Sequence, residues 1–430
     1  MTLLLRNLTY VDPVARCLVP DVAIAAQDGR IEAMGPDAAV DGALDAGGRF
    51  LVPGLMDMHI HLRPRSHQGP TTDRPVTTMV GDVADREGLV SRLHSFLYSG
   101  VTSVYDAGND AGMILALREE ERAGRLLAPR IFCTGSLLTC PGGHGSAMAV
   151  EIASLPADLP RLDAYLAREP DVVKVTYDEH GWGVRPLIPI LDVPTFRGIV
   201  DRSHAARRRV TVHVSNELRA REAVACGADA LAHPVIQSPV TDEFTWLLAA
   251  KGVPVVSTLA IGERYSRLAD HPEFLDEPPY RACLHEAERH HLATEESERQ
   301  RSNRWAAWMK IMTPVAQDNL RRLVEAGGVM VTGTDLSLGP DYHRELRLLQ
   351  DAGIAPIEII RAATCHAARF LGRERELGAL TVGARADFLV VDRDPTADVG
   401  RLAEIWMVVK DGRQVDRARL SLPGVAAAPS

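Results

Sequence analysis

The sequence predicts an α/β protein that combines a (β/α)8 barrel of the TIM type with a small β-sandwich domain formed by both termini. Strand-length apolar runs alternate with helical segments from about residue 53 to residue 371, and short strand-like runs with turn signals occur on either side. With 430 residues, 46% of them hydrophobic, the chain can bury a large core. We expect the β-sandwich at residues 1–52 plus 377–415, the barrel at 53–376 and a flexible tail at 416–430.

The N-terminal strands cannot bury both of their faces by themselves. The segments LLLRNLTYVD and DVAIAAQDGRIEAMG have strand-like patterns, and Asp28-Gly29 marks a hairpin turn. The C-terminal segments ADFLVVDRD and IWMVVKDGRQV carry the same pattern, with a second turn at Asp411-Gly412. Because a small sheet needs a packing partner, we expect the two chain ends to form one sandwich.

Eight strand-length runs alternate with helices in the central region. The helix in DREGLVSRLHSFLYSG places Leu89, Leu93, Phe96 and Leu97 on one face, and Gly100 can end it. Eight alternations are typical of a parallel (β/α)8 barrel, whose chemistry lies at the carboxyl ends of the strands. The eight runs are LMDMHIH, VTSVYD, RIFCTG, VVKVTYD, RVTVHV, ALAH, VPVVST and VMVTGTD.

A long polar segment, residues 260–312, separates the seventh and eighth predicted strands. We expect one or two helices here, which form a lid or a rim over the barrel. The segment contains His290 and His291, but histidines on a charged helix more often belong to a solvated face. We therefore leave both out of the candidate ligands.

Composition limits the classes of partner. The net charge of −9 and the interleaved acidic and basic residues give no surface-wide attraction to nucleic acid or to an anionic membrane. The six cysteines are scattered, which indicates reduced thiols, and neither a signal peptide nor a membrane-spanning run is visible. We expect a cytoplasmic protein that acts on a small-molecule or peptide substrate and forms a homo-oligomer.

The first barrel strand ends in two histidines, His59 and His61, whose spacing places both rings on one face of the strand. Two neutral imidazoles suit a divalent ion such as zinc, and Asp57 points the same way and could orient them from behind. One such pair is weak evidence for a metal, so other strands must supply ligands. Four candidates lie in or at the ends of strands four, five, six and eight: Lys174, His213, His233 and Asp335.

Each of these four residues has an ordinary alternative. His213 and His233 could be core histidines, Lys174 could be a buried ion-pair lysine, and Asp335 could cap a helix after strand eight. A free ammonium is a poor ligand and is costly in an apolar strand, whereas a carbamate on the same nitrogen can span two metals. At one barrel mouth, the six residues together favour a metal site.

In order, spacing and strand placement, these residues resemble the amidohydrolase superfamily over nearly the whole chain. The resemblance rests on PGLMDMHIHL (53–62), on Lys174, His213 and His233, and on TGTD ending at Asp335. The late stretches AATCHAARFLG and GALTVGARADFLVVD support it.

The resemblance implies a distorted (β/α)8 barrel, a β-sandwich made from both termini and two divalent metal ions, for which zinc is the default. It also implies a role for each candidate. The more buried ion would be bound by His59, His61 and Asp335, the more exposed ion by His213 and His233, and a carboxylated Lys174 would bridge the two.

The chemistry that follows is hydrolysis. A hydroxide held between two metal ions is a strong nucleophile at neutral pH, and a metal also polarises the scissile carbonyl. Asp335 can act as the general base and pass the proton to the leaving group. We expect cleavage of an amide bond in a dipeptide, at a C-terminal peptide bond or in an N-acyl amino acid.

Three alternatives stay open. The first is a cyclic-amide, lactone or aryl-amide hydrolase, including one that tailors a peptide natural product. The second, a deaminase of the same superfamily, is less favoured because those enzymes resemble this set without the strand-four lysine. The third, from a different class, is a non-catalytic metal-binding barrel.

The loop TCPGGHG, residues 139–145, is the main signal for substrate binding. Its two glycines allow a tight turn that brings His144 over the barrel mouth, although His144 could also cap a neighbouring helix. The loop is similar to the Gly-Gly-His loop of prolidase-like amidohydrolases, the Xaa-Pro dipeptidases and carboxypeptidases, a subgroup related to imidazolonepropionases. There this histidine would contact the substrate carbonyl.

Two segments depart from that subgroup, and both departures concern the substrate and not the metal site. The segment GVTSVYDAGN has Tyr105 where an arginine is frequent, and VTYDEHGWG follows Lys174 where a Ser-Gly-Gly loop is usual. We expect substrate contacts from five aromatic and basic residues that are candidates for the pocket, each of which could instead be a plain rim residue. These are Tyr105, Tyr177, His180, Arg185 and Tyr265.

Overall fold

A computed structural model describes residues 2–36, 42–63, 86–181, 187–302 and 304–424. Its strands are β1 (Leu3–Asp12), β2 (Cys17–Gln27), β3 (Arg30–Gly35), β4 (Leu44–Pro53), β5 (Leu55–Ile60), β6 (Val101–Asp106), β7 (Arg130–Cys133), β8 (Leu137–Thr139), β9 (Ala149–Glu151), β10 (Val173–Thr176), β11 (Val210–His213), β12 (Ala230–Leu231), β13 (Val255–Val256), β14 (Met330–Val331), β15 (Phe388–Val391), β16 (Ile405–Lys410) and β17 (Arg413–Gln414).

The α-helices in the described residues surround the barrel or rise above it. They are α1 (Arg86–Tyr98), α2 (Ala111–Arg122), α3 (Leu159–Leu166), α4 (Val193–Ala205), α5 (Glu217–Ala225), α6 (Asp242–Lys251), α7 (Leu259–Asp270), α8 (Pro278–Cys283), α9 (Glu286–His291), α10 (Ser297–Ser302), α11 (Arg304–Glu325), α12 (Gly339–Asp351), α13 (Pro356–Ala362) and α14 (Cys365–Leu371).

Both ends of the chain contribute to one seven-stranded sheet, in the order β17-β16-β15-β4-β1-β2-β3. Strand β4 joins the two halves, because it pairs in parallel with β1 and antiparallel with β15. A separate apolar core, which includes Leu5, Ile24, Leu51 and Phe388, lies against this sheet. The predicted β-rich unit made from both termini is thus present.

Both predicted hairpin turns are present in this sheet. Asp28 and Gly29 link β2 to β3, and Asp411 and Gly412 link β16 to β17. All four residues have positive φ. A two-residue turn of that kind matches the right-handed twist of the strands that it joins.

The start of the predicted flexible tail is packed on the barrel. Leu420 and Leu422 are buried, the Ser421 amide donates to His94 Nδ1 at 2.9 Å, and the Gly424 amide donates to the Ala282 carbonyl at 2.9 Å. The two leucines give residues 416–424 apolar surface to bury, which explains the difference from our expectation. Residues 425–430 lie outside the described part of the chain.

The central strands form the predicted parallel barrel. Strands β5, β6 and β7 make one sheet, and β14-β13-β12-β11-β10-β8-β9 make a second. The Met58 amide of β5 donates to the Thr332 carbonyl after β14 at 2.9 Å, which joins the two sheets on one side. All eight predicted barrel strands are present, and β12, β13 and β14 are only two residues long, as in a distorted barrel. The pair β8 and β9 was not predicted; it flanks the glycine-rich loop.

Helix α1 has the predicted apolar face. Leu89, Leu93, Phe96 and Leu97 are all buried, and Gly100, which follows the helix, has a φ of 80°. A glycine with positive φ is a common helix terminator.

The segment between β13 and β14 is more broken than the one or two helices that we expected. It contains α7 to α11, a 3-10 turn at Pro272–Asp276 and a π-helical turn at Leu292–Glu296. Pro272 and Pro278 each begin a new short helix, because proline cannot continue the one before it. His290 is exposed and His291 pairs with Glu295, so neither is placed among the candidate ligands.

No helix in the described ranges combines the length and apolar character needed to cross a membrane.

Candidate metal centre

Six side chains predicted as ligands come from strands that end at the same mouth of the barrel. His59 is in β5, His61 follows it, and His213 is the last residue of β11. His233 follows β12 and Asp335 follows β14, whereas Lys174, the second residue of β10, lies deeper. Parallel strands explain the convergence, since their carboxyl ends all point the same way.

The centre of this group is compact. Three ligand atoms, one each from His59, His233 and Asp335, lie within 4.8 Å of one another. This spacing suits a metal ion. Asp335 Oδ1 is 3.2 Å from His61 Nε2 and 3.7 Å from His59 Nε2. The aspartate therefore faces both histidines of the first strand, as the predicted metal site requires.

Lys174 lies beside the first-strand histidines. Its Nζ is 3.2 Å from His59 Nε2, and the side chain is 2% exposed. Burial lowers the pKa of the Lys174 ammonium to about 7, because a charge is poorly solvated there, while the carboxylate of Asp335 opposes this shift. A lysine in this position can lose its proton near neutral pH.

His213, His233 and His144 form the other side of the centre. The ring centroids of His213 and His233 are 4.6 Å apart, and the His144 ring stacks on His213 at 4.3 Å with an interplanar angle of 22°. His213 Nε2 lies 3.1 Å from Asp178 Oδ2. This contact fixes the orientation of the His213 ring.

The other histidines are oriented through Nδ1. His59 Nδ1 donates to the Ala232 carbonyl at 3.0 Å, and His61 Nδ1 donates to the Gly108 carbonyl at 2.6 Å. In each case Nε2 keeps its lone pair and faces the centre. Outer partners of this kind set the tautomer of metal-binding histidines.

Burial also keeps these histidines neutral. It lowers the pKa of His61 to about 3 and those of His59 and His233 well below the usual range, and the nearby Lys174 charge adds to the effect. A neutral imidazole is the form that binds divalent metals. The centre thus offers several neutral nitrogen donors and one carboxylate.

Gly108 shows why the backbone beside His61 must be a glycine. A Cβ on Gly108 would lie 3.0 Å from Leu137 Cδ2 and 3.4 Å from His61 Cε1, and the φ of 155° disfavours other residues. Asp106 holds the same turn, because it accepts bonds from the Leu62 and Gly108 amides and from Asn109 Nδ2. The strand-two segment therefore positions His61.

Asp57 accepts hydrogen bonds from backbone amides beside the metal centre. Its carboxylate accepts bonds from the His59 amide at 3.2 Å, the Thr334 amide at 3.1 Å and the Thr334 hydroxyl at 2.7 Å. The Asp335 amide in turn donates to the His59 carbonyl at 2.6 Å. Asp57 thus ties β5 to the segment that carries Asp335.

The helix-cap alternative for Asp335 does not fit the structure. The N-cap position of α12 is Leu338, and the first amide of the helix, that of Gly339, donates to the Ser95 hydroxyl at 2.9 Å. Asp335 instead has a left-handed backbone, with a φ of 57°, and its carboxylate faces the histidines.

Two of the predicted substrate residues lie away from the mouth. The Tyr105 hydroxyl donates to the Val172 carbonyl before β10, at the opposite end of the barrel, and its ring packs on Phe370. The Tyr177 hydroxyl donates to Glu222 in α5, and its ring stacks on Phe196 in α4. Both positions correct our expectation: each tyrosine is large and apolar enough to be used in packing.

The other predicted substrate residues have different positions. His180 is half-buried in the loop after β10, and its amide donates to Asp178 Oδ1 at 2.9 Å. Tyr265 is in α7, with its ring 5.8 Å from Trp305. Arg185 lies outside the described residues.

Four polar residues around the centre were not predicted from the sequence. Asp178 ends the fourth predicted strand and could have been found from that position alone. Arg63 follows His61 by two residues, and burial lowers the pKa of its guanidinium while Asp335 and Tyr265 act in the opposite direction. Thr258 and Glu345 come from the end of β13 and from α12, and no sequence pattern connects them.

Comparisons with known proteins agree with this architecture. A model described as "Amidohydrolase family" matches residues 50–417. The chain is 28% identical over 414 residues to imidazolonepropionase of Methylobacterium sp. (strain 4-46), and the match spans 89% of this chain and 90% of that protein. It is 24% identical over 384 residues to ochratoxinase of Aspergillus niger, and this match spans 81% of this chain and 71% of the relative.

Solved structures show the same fold at low sequence identity. A molinate hydrolase structure superposes with a TM-score of 0.77 at 21% identity and covers 100% of this chain and 98% of its own. A Xaa-Pro dipeptidase structure with bound methionine superposes with a TM-score of 0.75 at 19% identity and covers 96% of this chain and 100% of its own.

Proposed function

This chain belongs to the amidohydrolase family, and on that premise we propose that it is a metal-dependent hydrolase that cleaves an amide bond in a peptide or an N-acyl amino acid. As a member of the family, it is a hydrolase of carbon–nitrogen bonds. The observation that carries the finer proposal is the convergence of four histidines, a buried lysine and an aspartate at one barrel mouth.

The donor set fits two divalent ions, with zinc as the default. Imidazole nitrogen and carboxylate oxygen are the donors that zinc prefers. When bound, such ions polarise the scissile carbonyl and lower the pKa of a water molecule. The residues that would hold them are His59, His61, His213, His233 and Asp335, with Lys174 as a carboxylated bridge.

The environment of Lys174 supports carboxylation. The neutral amine adds to the carbon of carbon dioxide, a nitrogen–carbon bond forms, and one proton leaves to solvent. The product is an anionic carbamate, which replaces a cation that has no favourable role among metal ligands. A lysine with a pKa near 7 supplies the neutral amine at physiological pH.

Asp335 is the proposed general base. Its carboxylate faces His59 and His61 at the centre, within reach of a water molecule positioned there. It takes a proton from the attacking water and gives it to the leaving nitrogen, so that the carbon–nitrogen bond can break.

His144 is proposed to contact the substrate carbonyl. Its backbone carbonyl accepts a bond from the Thr176 hydroxyl at 2.9 Å, and its ring stacks on His213. These contacts hold the loop and the His144 ring at the centre. Gly143 makes this loop possible, because a Cβ there would lie 2.4 Å from Thr139 Oγ1.

For His144→Ala, we expect kcat/KM to fall by about 10²-fold, the scale of losing one donor to a developing oxyanion, with metal content unchanged. Steady-state kinetics and elemental analysis on the same preparation measure both. The exposed His271→Ala is a control that should change neither. Loss of metal in His144→Ala would instead make His144 a ligand or a structural residue.

Arg63 supports a substrate that carries a carboxylate. Arg63 is half-buried, its guanidinium lies near Asp335 and Tyr265, and Nη2 contacts Met148 Sδ at 3.9 Å. Among the described residues, it forms no ion pair with a carboxylate. A planar guanidinium binds a carboxylate through two parallel hydrogen bonds, which suits a peptide C-terminus or an N-acyl amino acid. At 19% identity the likeness to the Xaa-Pro dipeptidase concerns the fold alone. The proposal of a substrate with a carboxylate therefore rests on Arg63.

For Arg63→Met, we expect kcat/KM for an N-acyl amino acid to fall by about 10²-fold, because a charge-assisted contact contributes about 1.5–3 kcal/mol. The matching carboxamide substrate should change by only a few fold. The exposed Arg6→Met is the control. Equal losses on both substrates would mean that Arg63 does not recognise a carboxylate, and a wild type with no preference for the acid would favour the cyclic-amide, lactone or aryl-amide alternatives.

The test of the function as a whole is metal stoichiometry by elemental analysis on protein purified without chelator. We expect about two divalent ions per chain, and we expect chelation to abolish hydrolysis of dipeptides or N-acyl amino acids and added zinc to restore it. Protein that binds no metal after reconstitution would overturn the proposal. Protein that binds metal but hydrolyses none of these substrates would favour the non-catalytic metal-binding barrel.

A further inference from the structure

The chain makes a strained turn where β13 ends and α7 begins, directly beside His233. Thr258 occupies this turn with φ 36° and ψ 41°, which is the left-handed region. A β-branched residue is rarely found in that region, because its Cβ substituents collide with the backbone. The position is therefore held by its surroundings.

Thr258 is also the N-cap residue of α7, and it does not act as one. An N-cap threonine usually accepts a hydrogen bond from an amide in the first helical turn. Thr258 makes no such bond. Its hydroxyl oxygen lies 2.9 Å from His233 Nδ1 instead.

Glu345 supplies the cap from another helix. Its carboxylate, fully buried in α12, accepts bonds from the Leu259 amide at 3.1 Å and the Ala260 amide at 2.6 Å. The same carboxylate accepts a bond from the Ser257 hydroxyl at 2.5 Å. Glu345 thus forms hydrogen bonds with the residues on both sides of Thr258.

The backbone of the turn is anchored on its other side as well. The Ser257 amide donates to the Val331 carbonyl at 2.9 Å, and the Thr258 amide donates to the Gly333 carbonyl at 3.0 Å. Thr258 therefore has a fixed position relative to the segment that leads to Asp335.

We propose that Thr258 and Glu345 are positioning residues for His233. Glu345 replaces Thr258 as the cap of α7, so that the Thr258 hydroxyl is available to hold His233 Nδ1 and to leave Nε2 facing the metal centre. The inference rests on the proposed function, in which His233 is a metal ligand. Both residues should therefore increase the affinity of the site for metal.

His233 is suited to a test of this role. The Nδ1 partners of His59 and His61 are main-chain carbonyls, which no substitution removes, whereas the partner of His233 is a side chain. Loss of such an outer partner typically weakens metal binding by about 10–100-fold.

The experiment is competition for Zn²⁺ between a chromophoric chelator and the full-length protein, after removal of metal. We expect Thr258→Val, which keeps the shape and loses the hydroxyl, to weaken binding of one zinc per chain by about 10–100-fold. Thr258→Ser keeps the hydroxyl and should stay within a few fold of wild type. Thr364→Val is the matched control, because Thr364 is buried and its hydroxyl donates only to the Ile360 carbonyl.

Two further variants separate positioning from folding. Thr258→Ala reduces crowding in the turn and gives the same comparison if Thr258→Val does not fold. Glu345→Gln should weaken binding of the same zinc ion. The side-chain amide group of glutamine would face the backbone amides that now donate to the carboxylate. Circular dichroism confirms that each variant is folded before its zinc affinity is measured.

The outcomes distinguish the two proposals. A wild type that binds no zinc would remove the proposed function. A wild type that binds zinc, with folded Thr258→Val and Thr258→Ala variants of equal affinity, would overturn the positioning role alone. A Glu345→Gln variant that loses thermal stability and keeps its zinc affinity would make Glu345 a purely structural residue.

Discussion

Lys174→Ala is expected to abolish turnover, with a loss of at least about 10³-fold, the scale seen when one member of a catalytic unit is removed. The substitution deletes the proposed anionic bridge and leaves a cavity beside His59, where Lys174 Nζ now lies at 3.2 Å. Short carboxylic acids or bicarbonate should partly restore activity, because a free carboxylate can occupy that cavity. Steady-state kinetics with and without the added acid measure both effects.

Lys410→Ala is the matched control for Lys174→Ala. Lys410 is also a buried lysine, but it pairs with Glu121 and Asp411 where the terminal sheet meets the barrel. It should keep wild-type metal content and turnover. Full activity of untreated Lys174→Ala would show that Lys174 does not bridge metals.

The same lysine gives a pH dependence whose sign is defined. Only the neutral amine adds to carbon dioxide, and burial lowers the pKa of Lys174 to about 7. Carboxylation should therefore increase as the pH rises through about 7, whereas an exposed lysine needs a pH near 10.4. A carbamate signal from ¹³C-labelled bicarbonate, present in wild type and absent in Lys174→Ala, measures this dependence.

Asp335→Asn is expected to lower kcat by about 10²–10⁴-fold, the contribution of a general base. The amide cannot accept the proton of the attacking water, although its oxygen keeps the shape and some of the ligand capacity of the carboxylate. We expect KM to change little and metal content to fall much less than kcat. Kinetics and elemental analysis on one preparation separate these effects.

Asp411→Asn is the control for this substitution. Asp411 is a half-buried carboxylate in contact with Arg130 and Lys410, away from the metal centre. It should retain kcat. If Asp335→Asn retained wild-type kcat with full metal content, Asp335 would be a ligand and another group would have to be the base.

The fold could be predicted from the sequence to a large extent, because its main signals are local. Apolar runs such as LMDMHIH and VVKVTYD identify barrel strands without knowledge of their neighbours. The turn at Asp28-Gly29 needs only the residues that form it. The short pair β8 and β9 was missed because the glycine-rich loop that separates the two strands interrupts the apolar pattern.

The tail and the segment before β14 show where local signals end. Leu420 and Leu422 are buried on a surface made by distant parts of the chain, and nothing near them in the sequence indicates that surface. The number of helices between β13 and β14 was underestimated, because prolines interrupt an otherwise helical pattern in several places.

In the candidate site, the order of ligand types along the chain predicted which residues meet at the barrel mouth. The direction of parallel strands turns that order into one location. The substrate residues were harder: Tyr105 and Tyr177 are near the strand ends in the sequence, yet their hydroxyls bond to Val172 and Glu222 away from the mouth. The face to which a side chain turns depends on what packs against it.

The sequence by itself determined the barrel, its terminal sheet and the set of histidine, lysine and aspartate residues at the strand ends, since periodicity and spacing are properties of the chain alone. Only the tertiary structure decided how those residues are held. The neutral state of the histidines comes from burial, and the orientation of His233 comes from Thr258 under the control of Glu345 in a distant helix. Solvation and hydrogen-bond direction depend on three-dimensional neighbours, which residues far apart in the sequence provide.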